Sequence, residues 1–136
     1  MNDQTSDKQR LLRRALQWNA LFSVVSGVVI LSANQTLVEF LGLPSNASLT
    51  ALGIGLLGYA GWLLWNARRE KIKIVDAWIA VILDMVWVMG SYALLFTVKF
   101  SNGGKWAVVL VAELVFLFGV IQWMGLRRIG RSKQAV

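Results

Sequence analysis

The chain has no cysteine, no histidine and a single proline in 136 residues. Without cysteine there is no disulfide, no thiol redox chemistry and no thiolate metal site. Without histidine the common haem and imidazole ligands are missing, and so is the commonest general base. Quinone-linked disulfide enzymes and histidine-ligated cytochromes are therefore excluded, and neither a cofactor nor a metal is expected. Charge is scarce as well, at 15% of residues, and it is lopsided, with 14 basic against 7 acidic side chains.

What remains is largely apolar: 57% of residues are hydrophobic, gathered in long blocks with short charged joints between them. The blocks are about twice the ~10 residues of a transmembrane strand and lack its alternation, so helices are expected. Four spans follow, at about 12–33, 49–67, 72–98 and 105–126. The fold class is all-α, an integral membrane four-helix bundle in one domain, with flexible tails at 1–7 and 130–136.

The net charge of +7 would suit nucleic acid, but its distribution points to the bilayer. Lys8, Arg10, Arg13 and Arg14 precede the first block, Arg68, Arg69, Lys71 and Lys73 join the second to the third, and Arg127, Arg128, Arg131 and Lys133 follow the fourth. Only Lys99 and Lys105 lie at the other ends. By the positive-inside rule both termini are cytoplasmic, as in a bacterial cytoplasmic membrane protein, and no nucleic-acid partner is expected. The basic ends are suited to weak attraction to anionic headgroups.

Along the first helix, Asn19, Ser23 and Ser26 fall within ~60° of one another at 100° per residue, a polar stripe directed into the bundle. The connection 34–48 is too short to span and too apolar for a solvated loop, which predicts a short interfacial helix ended by Pro44, placed to serve as a lid. Gly53-Ile-Gly55-Leu-Leu-Gly58 matches the dinucleotide fingerprint in letters only, since no strand precedes it and it lies inside an apolar span. Ala51, Gly55, Gly58 and Gly61 instead suit close approach of a neighbouring helix. Arg68 to Lys71 is a tight joint that makes the second and third spans antiparallel neighbours. Asp76, beside Lys73 and Arg69, is expected in a salt bridge. Trp18, Trp65, Trp78, Trp106 and Trp123 sit toward span ends, as an interfacial belt requires.

Two acids stand out because they lie inside spans. A carboxylate at mid-membrane costs at least ~2.5 to 3.5 kcal/mol to insert, so each needs a partner. Counting rise from the basic end, taken as Ile72 and Leu126, puts Asp84 at roughly 18 Å and Glu113 at roughly 19 to 20 Å. The two are expected to be level and paired. Two acids in such a layer are not both comfortably ionised, so a shared proton is expected. Asn19, Ser23, Ser26, Tyr59, Trp62, Trp87 and Ser91 are the candidate lining. Gln122, near the basic end, is read as snorkelling or as an interhelical contact.

Three functions suit these residues. The first is a midplane acidic pocket for a small lipophilic or cationic ligand, with proton-linked transport as one form. The second is an acid–base enzyme in which Asp84 and Glu113 isomerise, cyclise or hydrolyse an apolar, terpene- or sterol-like substrate. The third is an accessory subunit of a larger membrane complex. Partners are membrane lipid, the ligand, and further copies of the chain or other subunits. Size and four-helix layout are similar to those of small multidrug resistance transporters, but that family's essential glutamate lies in the first helix, and the first span here contains no acid.

Overall fold

The computed structural model describes residues 2–134, and within these it is entirely helical apart from turns. The elements are α1 (Asn2–Ser32), α2 (Asn34–Leu41), α3 (Ala47–Arg68), α4 (Ile74–Thr97) and α5 (Asn102–Gln134). All but α2 are long and apolar enough to cross a membrane. The outer helices extend past their apolar blocks, because the flanking polar residues continue the backbone hydrogen-bond ladder. Residues 2–7 and 130–134, read from sequence as tails, are therefore helical.

The long helices pack in the order α3, α1, α5, α4, and each contact is antiparallel. Leu12 meets Gly125, and Phe22 meets Phe118 with ring centroids 5.6 Å apart, which sets the register of α1 on α5. Arg13 reaches Ala67 while Leu31 packs on Gly53, which sets α1 on α3. Close approach is bought by glycine: a Cβ at Gly125 would stand 3.2 Å from Leu12 Cα, and one at Gly53 only 2.7 Å from Leu31 Cγ. Gly55, Gly58 and Gly61 do not serve this purpose. A Cβ on any of them meets nothing within 4 Å, so the close approach of a neighbouring helix expected from sequence does not occur at these positions within the chain.

The expected α3–α4 hairpin does not close either. The two helices barely approach one another, although only a short joint separates them. The reason is in the faces of α3: Leu49, Gly53, Ala60, Leu63 and Ala67 form its buried stripe, and that stripe covers α1. Tyr59 and Trp62, their rings stacked 6.0 Å apart, stand on the α4 side and prop it open. Arg69 bridges the joint to Asp76 at 3.3 Å, the salt bridge read from sequence.

The apolar core runs through the basic half of the bundle, with Leu12, Leu16 and Ala20 against Leu63, Ala67, Ala77, Ala80, Val81, Leu126 and Ile129. Large apolar side chains also cover the outside, including Phe96, Trp106, Met89, Trp65 and Trp18, as suits a surface bathed in hydrocarbon. At the far end α2 stops at Gly42, whose φ of 72° permits the reverse turn. Gly42 N–H donates to Glu39 O and Leu43 N–H to Val38 O, the paired bonds of a glycine C-cap. The segment is then fastened to the α4–α5 turn. Ser101 N–H donates to Leu41 O at 3.0 Å, and its hydroxyl donates to Phe40 O while accepting from Gly104 N–H as the cap of α5.

Candidate functional site

At the upper edge of the apolar core every long helix contributes one polar side chain to a common cluster. Asp84 of α4 is at its centre, 2% exposed. Asn19 Nδ2 of α1 donates to Asp84 Oδ2 at 2.8 Å, and Gln122 Nε2 of α5 donates to the same oxygen at 3.0 Å. Tyr59 of α3 donates its hydroxyl to Asp84 Oδ1 at 2.9 Å, with Ala80 O a second, longer acceptor at 3.4 Å. The helices hold this arrangement because small residues surround it. Ala77, Ala80 and Ser91 share the Asp84 face of α4, and a Cβ on Gly119 of α5 would lie 3.6 Å from Asp84 Cβ and collide with Met85 Cε.

The shell is made for an acceptor. A carboxylate offers about four lone-pair sites on two oxygens, and three are used, which leaves one on Oδ1. Two further polar atoms in the neighbourhood are buried without a hydrogen-bond partner: Gln122 Oε1, on the same amide that holds Asp84, and Trp87 Nε1, one turn along α4. Such groups each cost about 1 to 3 kcal/mol when nothing answers them. The acceptors of the cluster are thus Asp84, which takes all three hydrogen bonds, and the Oε1 of the Gln122 amide whose nitrogen holds it. Among the described residues no group of three metal-ligating side chains occurs.

Glu113 is not part of this cluster. It lies on an exposed face of α5 and accepts a hydrogen bond from Tyr92 of α4. The expected pairing with Asp84 failed because the depth count took the end of the apolar run, Leu126, as the end of the helix. α5 continues to Gln134, and packing sets its register. Eight residues separate Tyr92 from Asp84 on α4, and nine separate Glu113 from Gln122 on α5, so the two contacts belong to one antiparallel alignment. Gln122, which is nine residues from Glu113, or ~13 Å of helix, is the residue level with Asp84. Its position in the apolar run, flanked by Ile121 and Trp123, was the signal that could have found it, since a full amide inside a span needs a partner as an acid does.

The other candidates separate into groups. Asn19 and Tyr59 touch Asp84 directly. Ser23 is buried on the Asn19 face and Ser26 half-buried. Trp62 reaches the cluster only through its stacking on Tyr59. Ser91 spends its hydroxyl on Trp87 O at 2.8 Å, one turn back on its own helix. No protein-family model, no curated protein and no solved structure matches this chain.

Proposed function

We propose that the chain is a small polytopic membrane protein, basic end toward the cytoplasm, that binds a lipophilic cation beside Asp84, entering between α3 and α4. Proton-linked movement of that ligand is its transport form. One observation carries the reading: Asp84, a carboxylate buried among four long apolar helices, meets α3 through the Tyr59 hydroxyl, on the side where α3 and α4 otherwise barely approach one another. An ammonium or a quaternary cation is attracted by the Asp84 carboxylate, and the stacked rings of Tyr59 and Trp62 supply cation–π attraction to it. An anionic ligand would meet the carboxylate unfavourably. Two-acid catalysis draws no support from this geometry, since Glu113 hydrogen-bonds elsewhere.

Gly55 lies one turn from Tyr59 on the same face of α3 and is exposed, so a larger side chain there obstructs the approach to Tyr59 without entering the core. The test uses tetraphenylphosphonium and dodecylamine as probes on purified protein in detergent, read by tryptophan fluorescence and calorimetry. Asp84→Asn should weaken both by at least about tenfold, the worth of a hydrogen bond or contact to a charged group. Gly55→Leu should block binding with the fold intact. Unchanged affinity in Asp84→Asn would sink the proposal. For the transport form, proteoliposomes with an acidic lumen should take up tetraphenylphosphonium in exchange for outgoing protons, alkalinising the lumen faster than protein-free vesicles do, and Asp84→Asn should abolish that difference.

A further inference from the structure

The last turns of α5 carry a second site that the Asp84 cluster does not involve. Trp123, Met124, Arg127, Arg128 and Arg131 line a recess of about 320 Å³ at the basic end of the bundle. The spacing explains the shape. Trp123, Arg127 and Arg131 follow at intervals of four, Met124 lies four before Arg128, and Arg131 is three beyond it, so all five border one strip of helix surface. Arg127 lies over the Trp123 ring, 4.7 Å from its centroid. Ile129, on the opposite side, is buried in the core and fixes which way the strip faces.

A comparison within the molecule shows what is unusual here. α3 ends with the same device, Arg69 over Trp65 at 5.1 Å, but there the guanidinium is answered by Asp76. On α5 no acidic side chain among the described residues pairs with Arg127, Arg128 or Arg131. Three guanidiniums within five residues repel one another unless an anion lies between them. α1 has a related recess of about 450 Å³, lined by Arg14, Gln17, Trp18 and Leu21, but with one cation only.

We infer that the α5 recess binds the phosphate of an anionic phospholipid. Guanidinium forks match phosphate oxygens in pairs, which suits a fixed phosphodiester better than a diffuse surface charge. The floor is apolar and aromatic. Trp123 and Met124 lie one turn deeper than the arginines, where the glycerol and first acyl methylenes of a lipid would rest, and tryptophan is the side chain most at home at that depth. A free phosphate would use the arginines and leave this floor bare.

The experiment is native mass spectrometry of the full chain in dodecyl maltoside, titrated with palmitoyl-oleoyl phosphatidylglycerol, with the phosphatidylcholine of the same chains, and with inorganic phosphate. One phosphatidylglycerol should stay bound under activation that strips phosphatidylcholine. Arg127→Gln/Arg128→Gln/Arg131→Gln should weaken it about a hundredfold, at about fivefold for each basic side chain near an anionic headgroup. Arg68→Gln/Lys71→Gln/Lys73→Gln, which removes the same charge elsewhere at that end, should keep it. Arg127→Lys/Arg128→Lys/Arg131→Lys retains charge and serves if the glutamine variant does not fold; it should lose part of the affinity. Equal loss in the two glutamine variants, equal retention of phosphatidylcholine, full affinity in the lysine variant, or displacement of the lipid by millimolar phosphate would each overturn the assignment.

Discussion

Replacing Asp84 by leucine should destabilise the bundle while replacing it by asparagine should leave it nearly unchanged, and the geometry sets the sizes. Leucine removes the acceptor of three interhelical hydrogen bonds, from Asn19, Gln122 and Tyr59. Interhelical bonds in membrane bundles average ~0.6 kcal/mol, so their direct loss is ~2 kcal/mol. Tyr59 can fall back on Ala80 O, but the Asn19 and Gln122 amides are left as buried donors with no acceptor, and at about 1 to 3 kcal/mol each they bring the total to about 2 to 6 kcal/mol. Asparagine keeps all three contacts: its carbonyl oxygen accepts from both amides, and its amino group donates to the Tyr59 hydroxyl, which can accept as well as donate. It should remain within about 1 kcal/mol of the parent. The assay is reversible unfolding in mixed micelles of rising dodecyl sulfate fraction, followed by far-UV circular dichroism. Equal destabilisation by both variants would show that charge and not donor matching governs the site. A neutral leucine variant would show that the cluster contributes nothing to the bundle.

Other expectations follow from single contacts. Glu113→Gln should leave probe binding beside Asp84 unchanged in the fluorescence titration, because its carboxylate serves Tyr92 alone among the described contacts. Gly125→Ala places a methyl 3.2 Å from Leu12 Cα and should cost about 1 to 3 kcal/mol in the same unfolding assay, whereas Gly130→Ala, with open space around it, should be neutral or slightly stabilising. Arg13→Gln removes donors to Ala67 O at 2.5 Å and Glu70 O at 3.1 Å, so amide hydrogen exchange in residues 67–73 should quicken while that of α4 and α5 holds.

The helices themselves were legible because apolar length and basic joints are read directly from composition; the four long elements stand where the four blocks do. Asp84 was legible for the same reason, as a charge inside a span has few ordinary explanations. Its partner was not. Axial register between helices is decided by small contacts such as Gly119 against Met85, and an error of nine residues in it exchanged Gln122 for Glu113. The glycines misled in a similar way: Gly53 and Gly55 look alike in the sequence, yet they point in different directions, and only Gly53 finds a helix to meet. Which helices neighbour one another is likewise not given by short joints, since bulky rings on α3 outweigh the tether to α4.

The unclosed side has a mechanical consequence. α1 with α3 and α4 with α5 form two leaves hinged along the α1–α5 seam, where Gly125 rides directly on the Leu12 backbone. Three fastenings span the free edge: α2 to Ser101 at one end, Arg69 to Asp76 at the other, and Tyr59 to Asp84 between them. The end fastenings are independent of what occupies the middle. On the proposed reading, a molecule reaching Asp84 between α3 and α4 has to displace the Tyr59 phenol and the Trp62 ring stacked on it, while both end fastenings stay closed.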